Sequence, residues 1–317
     1  MKYGIIGTGA IGGFFGAKLA KSGQEVHFLF HRDYDVVCKQ GLQVNSYDGD
    51  FHLFPVHAYQ HAEDMPQCDV VLVALKSVNN ELLKTLLPPL LKADTLVVMI
   101  QNGIGVEDDI QKMFPGTWLA AGLAYVCAAK TKPGVVDHLA QGSIDIGNYS
   151  CKDQNVMDKL ILEMNAAGVK AKEVEYHKAR WNKAIWNMSF NGMTVALDTK
   201  TDALLADPAS NQLIRGLMLE VIDGARACGV KTLTHDLVDK IIHFTQDMPP
   251  YSPSMKLDYD FHRPMEIYYL YTRPIEEAKK AGYEMPKLSM LEAELKFKGK
   301  CAFPVFYYYL CCSDGFL

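Results

Sequence analysis

Residues 3–6 form a short apolar run, Tyr3-Gly4-Ile5-Ile6, that passes without a spacer into Gly7-Thr8-Gly9-Ala10-Ile11-Gly12 and then into an amphipathic helical pattern. A GxGxxG turn placed between a first strand and a first helix constrains the fold strongly. Gly7 permits the tight turn, Gly9 lets backbone approach a pyrophosphate, and Gly12 lets the helix pack closely on the strand. The helix N-terminus then offers free N–H groups and partial positive charge to phosphates. Gly7, Thr8, Gly9, Ala10, Ile11 and Gly12 are therefore expected to bind a dinucleotide.

The end of the second strand chooses between the two nicotinamide dinucleotides, because NAD sites usually carry a carboxylate there and NADP sites carry cations. The strand ends Phe30-His31-Arg32. Arg32 suits a charge-assisted fork on a 2′-phosphate and His31 suits an added bond or stack, which points to NADP (NADPH). The alternative is a solvated arginine beside Asp33.

Short apolar runs alternate with helical stretches over the first half. Tyr3–Ile6, Glu25–Phe30, Val70–Leu75 and Leu96–Ile100 read as strands, and Ile11–Lys21, Glu81–Leu91 and Val106–Met113 as helices. The runs at 70–75 and 96–100 are apolar at consecutive positions, as strands covered on both faces require. Leu119–Ala128, Gly134–Leu139 and Ser143–Ile146 read as further strands with turns at Lys132-Pro133-Gly134 and Gln141-Gly142.

Beyond about residue 175 helical patterns take over: Ala179–Asn191, Asn211–Cys228, Leu237–Gln246, Pro264–Ala281 and Lys287–Phe297. Residues 247–264, with Pro249, Pro250, Pro253 and Pro264, are expected to be loop, since each proline removes a backbone donor. The fold class is therefore α/β: an N-terminal Rossmann-type doubly wound sheet over 1–175, followed by a mainly α-helical domain over 176–317.

The 317 residues carry a formal net charge of −5, which gives no broad cationic field for nucleic acid or anionic membranes. No apolar run reaches the ~20 residues that span a bilayer, and the N-terminus lacks a signal-peptide pattern. A cytoplasmic location is expected. The eight cysteines show no CxxC pair and no metal-ligand spacing, so no metal is expected and reduced thiols filling the core are. Cys311 and Cys312 are adjacent and poor disulfide partners for each other. The tail over 303–310 is strongly aromatic and suits packing on the core or on a partner.

Open α/β sheets collect ligands beyond the carboxyl ends of their strands. Lys76 directly follows the 70–75 strand and Gln101-Asn102-Gly103 follows the 96–100 strand, so both loops are expected to face one crevice. In the second half, Lys183, Asn187 and Asn191 recur at intervals of four within Trp181–Asn191 and form one stripe on a helix. The apolar residues around them leave little of that helix for solvent. A lysine in a partly dry site has its charged form disfavoured, and asparagine amides beside it can hold a carbonyl. That combination suits carbonyl reduction, in which the oxygen becomes an alkoxide needing a proton.

With these residues in place, nearly the whole chain resembles the ketopantoate reductase (2-dehydropantoate 2-reductase) family of the 6-phosphogluconate dehydrogenase-like group. The resemblance is carried by the Gly7, Gly9, Gly12 loop, Lys76, Gln101-Asn102-Gly103, the Lys183–Asn187–Asn191 stripe, Ser252-Pro253-Ser254-Met255, Arg263 and Glu266. It implies an NADPH-dependent reduction of 2-dehydropantoate to (R)-pantoate, a step toward coenzyme A. It further implies that Lys183 is the general acid and Glu266 a second essential group. By the same resemblance, Asn187, Asn191, Ser254 and Asn102 would hold substrate, Asn102 and Lys76 would lie where cofactor and substrate meet, and Arg32 or His31 would read the 2′-phosphate.

The chain departs from the family pattern at three places. Arg32 falls one position after the usual cation, the Ser-Ser-Met run becomes Ser252-Pro253-Ser254-Met255, and His262-Arg263 stands where glycine-arginine is usual. Two alternatives accompany the reading: a reductase of another 2-oxo acid, given Tyr251, Tyr259, Tyr268, Tyr269 and Tyr271, and a non-catalytic NADP-binding sensor. The helical half, with its many apolar faces, also suits a homodimer.

Overall fold

In the computed structural model, residues 1–302 are described. The aromatic stretch at 303–310 and the Cys311–Cys312 pair lie outside them. The chain divides into two compact units, Met1–Asn102 with Val106–Ala179, and Gly103–Gly105 with Arg180 onward.

Unit 1 is a ten-stranded sheet in the order β4-β3-β9-β8-β7-β6-β1-β2-β5, with β10 paired to β9. Its strands are β1 (Lys2–Ile6), β2 (Glu25–Leu29), β3 (Leu42–Ser46), β4 (Phe51–Leu53), β5 (His57–Tyr59), β6 (Val70–Val73), β7 (Leu96–Met99), β8 (Trp118–Lys132), β9 (Val135–Asn148) and β10 (Ala171–Val174). β2, β1, β6, β7 and β8 pair in parallel, and β8 turns back antiparallel on β9. All residues of β6 and β7 are buried, which is what their unbroken apolar runs demand.

Helices α1 (Ala10–Lys21), α2 (Tyr34–Gln40), α3 (Leu83–Leu86), α4 (Val106–Met113) and α5 (Gln154–Ala166) belong to unit 1. Phe14, Phe15 and Leu19 of α1 pack with Ile5 and Phe28 in one core, each burial worth about 1.5–3 kcal/mol. Two expectations need correction here. The helix expected over Glu81–Leu91 is broken into a 3-10 segment (Ser77–Leu82), α3 and a second 3-10 turn at Pro88–Leu90, because Pro88 and Pro89 cannot donate to a continuing helix. The three strands expected over 119–146 are two long ones with register irregularities, one of them at Gln141, whose φ is 64°.

Unit 2 contains α6 (Tyr176–Ala196) from Arg180 onward, then α7 (Thr201–Ala206), α8 (Pro208–Ala227), α9 (Leu237–Gln246), α10 (Ser254–Asp260), α11 (Arg273–Lys280) and α12 (Pro286–Ala302). Ile214, Leu217, Met218, Val221, Ile222 and Ala225 recur at helical spacing and bury the inner face of α8. That helix opens on Asp207, whose carboxylate accepts from the Ser210 N–H at 2.8 Å, with Pro208 in the first turn. Glu220 on α8 is buried and accepts the Leu288 N–H at 2.8 Å, so a carboxylate from one helix satisfies the first turn of α12.

Residues 247–264 are not wholly loop. Pro253 stands at the N-cap of α10, where a missing N–H costs nothing, and the helix runs on from Ser254. The helix expected from Pro264 begins only at Ile267, opens with a π turn (Tyr268–Thr272), and continues as α11. Of the expected core thiols, Cys68 is buried, Cys151 and Cys228 are half-buried and pack against the cores of units 1 and 2, Cys127 is half-buried, and Cys38 is exposed. No described helix is long and apolar enough to cross a membrane.

Candidate active site

The glycine loop connects β1 to α1 as the spacing requires. Gly7 has φ of 95°, and a Cβ there would stand 2.5 Å from the Leu75 nitrogen. A Cβ on Gly12 would stand 2.4 Å from the Gly7 oxygen, whereas one on Gly9 would meet no protein atom within 4 Å. Two glycines are thus forced by protein neighbours, and Gly9 faces open space that a ligand can fill. No side chain caps the N-terminus of α1, so its first N–H groups face that space uncapped. The loop fits a dinucleotide pyrophosphate.

Thr8 is buried and its hydroxyl donates to the Leu29 carbonyl, fastening the loop to the end of β2. His31 and Arg32, just beyond β2, are exposed, while Asp33 is buried. Lys76, half-buried, follows the β6 segment and stands immediately before the 3-10 turn that starts at Ser77, where its carbonyl accepts the Asn79 N–H at 2.9 Å. The buried Gln101 amide donates to the Leu75 carbonyl and to Asn80 Oδ1, both at 2.7 Å. One side chain therefore ties the loop after β6 to the loop after β7, which brings Lys76 and Asn102 to the same end of the sheet.

Gly103 follows Asn102 and opens the short segment assigned to unit 2. Its φ is 111°, a Cβ would fall 2.4 Å from the Tyr269 oxygen, and Ile104 N–H donates to that same oxygen at 2.9 Å. Glycine is required there by close backbone contact with the π turn, a kind of irregularity frequent at functional sites.

In unit 2, Lys183 is half-buried on α6, Asn187 is 8 % exposed and Asn191 is 1 % exposed. The stripe is thus built into the helix's buried side rather than its wet one. Asn191 Nδ2 donates to the Asn187 carbonyl at 3.0 Å, and its Oδ1 accepts from the Met255 N–H at 3.0 Å and the Ser254 hydroxyl at 3.5 Å. Asn187, Asn191 and Ser254 come together through these bonds, with Lys183 one turn earlier on the same helix. Glu266 is buried immediately before the helical turn at Ile267, between Met265 and Leu270 of the unit 2 core. It is not in the first turn of a helix from Pro264, as the sequence pattern suggests.

Tyr271 is fully buried and its hydroxyl donates to the Met188 carbonyl, so it buttresses α6 rather than lining an open surface. Lys130, which sequence reasoning did not single out, donates to the Thr8 carbonyl of the glycine loop at 2.8 Å and pairs with Asp33. The partners are 122 residues apart, and no local pattern announces the contact.

Residues 3–150 match the family model described as ketopantoate reductase PanE/ApbA, and residues 175–299 match its C-terminal counterpart. A 2-dehydropantoate 2-reductase from Nostoc sp. is 40 % identical over 302 residues, covering 93 % of this chain and 94 % of that one. The crystal structure of a 2-dehydropantoate 2-reductase from Geobacter metallireducens superposes with a TM-score of 0.90 at 36 % identity, covering 94 % of this chain and 99 % of that one. A D-mandelate dehydrogenase in complex with NADH and anilino(oxo)acetate superposes at 0.84 with 25 % identity, covering 95 % and 99 %.

Proposed function

Because the chain belongs to the ketopantoate reductase family, we propose that it reduces 2-dehydropantoate to (R)-pantoate with NADPH, on the path to pantothenate and coenzyme A. The observation that carries this reading is the stripe of Lys183, Asn187 and Asn191 along the buried side of α6, whose last member, Asn191, accepts the Ser254 hydroxyl. A family enzyme needs a proton donor and neutral amides for its oxo acid, and these residues supply both.

When bound, the reduced nicotinamide supplies the hydride that reaches the carbonyl carbon. The glycine loop and the N-terminus of α1 hold the pyrophosphate, and His31 and Arg32 are the groups suited to the 2′-phosphate. Lys76 and Asn102 stand at the sheet end where the nicotinamide half of the cofactor belongs.

Lys183 is the general acid: its ammonium gives a proton to the carbonyl oxygen as charge develops there, which stabilises the transition state more than the ground state. The Asn187 amide donates to that oxygen or its neighbour without changing charge. Ser254, placed by Asn191 at the start of α10, binds the substrate's polar end. Glu266 accepts from a substrate hydroxyl, which a carboxylate does without competing for the proton that Lys183 delivers.

The test is loss of NADPH absorbance with 2-dehydropantoate, run beside a panel of other 2-oxo acids. Turnover with 2-dehydropantoate well above the panel supports the reading. The D-mandelate dehydrogenase neighbour, with its aromatic oxo-acid ligand, motivates a second reading as a reductase of another 2-oxo acid. Higher kcat/KM with an aromatic oxo acid would establish that reading instead.

A further inference from the structure

The chain after β2 presents two exposed residues and then a buried one: His31 and Arg32 make no hydrogen bond or ion pair with described residues, whereas the Asp33 side chain is 11 % exposed. Asp33 is the residue of acidic type nearest the place where an NAD site carries a carboxylate for the ribose hydroxyls. Its Oδ2 already accepts from the Gly134 N–H at 2.9 Å and pairs with the Lys130 ammonium at 2.5 Å. Lys130 reaches that point from the far end of β8, beside the Phe30 ring at 5.9 Å from its centroid, and also donates to the Thr8 carbonyl at 2.8 Å. One ammonium therefore binds both the glycine loop and the carboxylate beside the ribose corner.

We infer that Lys130 is a specificity-determining residue for the cofactor: by pairing with Asp33 it withdraws the carboxylate from the ribose and cancels its charge, leaving the corner open to a 2′-phosphate. This rests on the proposed use of NADPH. The reasoning is electrostatic. A 2′-phosphate carries about two negative charges at neutral pH, so an unpaired carboxylate beside it repels it, while the same carboxylate attracts the two neutral hydroxyls of NADH. Lys130 decides which of these Asp33 does. The pair also shapes the loop, since the bond to the Thr8 carbonyl is made by the same ammonium.

The experiment is calorimetric titration of the full chain with NADPH and with NADH, for the wild type, Lys130→Gln, Lys130→Arg, Asp33→Asn and the Lys130→Gln/Asp33→Asn pair, with a thermal melt of each. Lys130→Gln is expected to weaken NADPH about tenfold or more while NADH changes less than about threefold, one strong charge interaction being worth roughly that ratio. Adding Asp33→Asn should restore most of the NADPH affinity, and Lys130→Arg should retain it. Equal losses for both cofactors, or no rescue by Asp33→Asn, would show a clamp without a selective role and overturn the inference.

Should Lys130→Gln not fold, Asp33→Asn alone decides. It frees the ammonium and is expected to tighten NADPH relative to NADH; an unchanged ratio overturns the inference. A wild type that binds NADH as tightly as NADPH would sink the NADPH reading itself, whereas retained wild-type selectivity in Lys130→Gln would sink only the role of Lys130.

Discussion

The side-chain oxygen of Asn191 lies 3.0 Å from the Met255 nitrogen and accepts its N–H, so the last residue of the α6 stripe also holds the first turn of α10. Ser254 sits at the start of that turn and donates to the same oxygen at 3.5 Å. A residue that reads from sequence as one of several substrate holders is thus committed, by both ends of its amide, to positioning its neighbours.

Asn191→Ala is expected to cost about 1–3 kcal/mol in urea unfolding, because the buried Met255 N–H loses its acceptor. The same substitution should raise KM for the oxo acid while leaving NADPH affinity unchanged. Asn187→Ala leaves in place the backbone carbonyl that Asn191 uses and should likewise raise KM for the oxo acid without changing NADPH affinity. A variant of either residue that keeps KM at the wild-type value would refute its role in holding substrate.

Gly9 and Gly12 should part company when changed to alanine. Gly12→Ala places a methyl 2.4 Å from the Gly7 oxygen and is expected to destabilise the fold by about 1–3 kcal/mol. Gly9→Ala meets no protein atom within 4 Å, so its stability should stay within about 0.5 kcal/mol of wild type. NADPH binding should nonetheless weaken by about tenfold or more, read by fluorescence titration.

Asp69 gives unit 1 a pH dependence. Burial alone would raise its pKa, but the Lys2 N–H bond and the Lys92 ammonium outweigh burial and hold the carboxyl below its usual range. A carboxyl depressed in the folded state contributes stability above its unfolded pKa of about 3.9, and that contribution disappears as pH falls through the folded value. Asp69→Asn should therefore cost on the order of 1 kcal/mol near neutral pH, a figure kept small because the pair is partly solvated. The difference from wild type should shrink to nothing in melts taken progressively below about pH 4. A constant difference across that range would assign the effect to the backbone bond alone.

Where a pattern is local, the sequence makes it readable. The strand, glycine turn and helix at 2–21 and the consecutive apolar runs of β6 and β7 follow from spacing. So does the Lys183–Asn191 stripe, since residues four apart share a helix face. The misplaced elements are those decided by proline position or by tertiary contact. Pro253 begins α10 instead of excluding it, and the helix after Pro264 is delayed to Ile267 and opens with a π turn whose Tyr269 carbonyl receives Ile104. Gly103 reads as an ordinary turn glycine, yet its reason is the backbone of a residue far along the chain. The Lys130 contacts with Thr8 and Asp33 are of the same kind, set by the long β8–β9 hairpin.

The most direct measurement compares wild type with Lys183→Ala for NADPH-dependent reduction of 2-dehydropantoate, with NADPH affinity determined separately for both. A general acid contributes on the order of 10²–10⁴ to rate, so kcat should fall by that range in the variant while NADPH binds as before. A variant that keeps turnover within a few-fold of wild type would contradict the assignment of Lys183 as the proton donor.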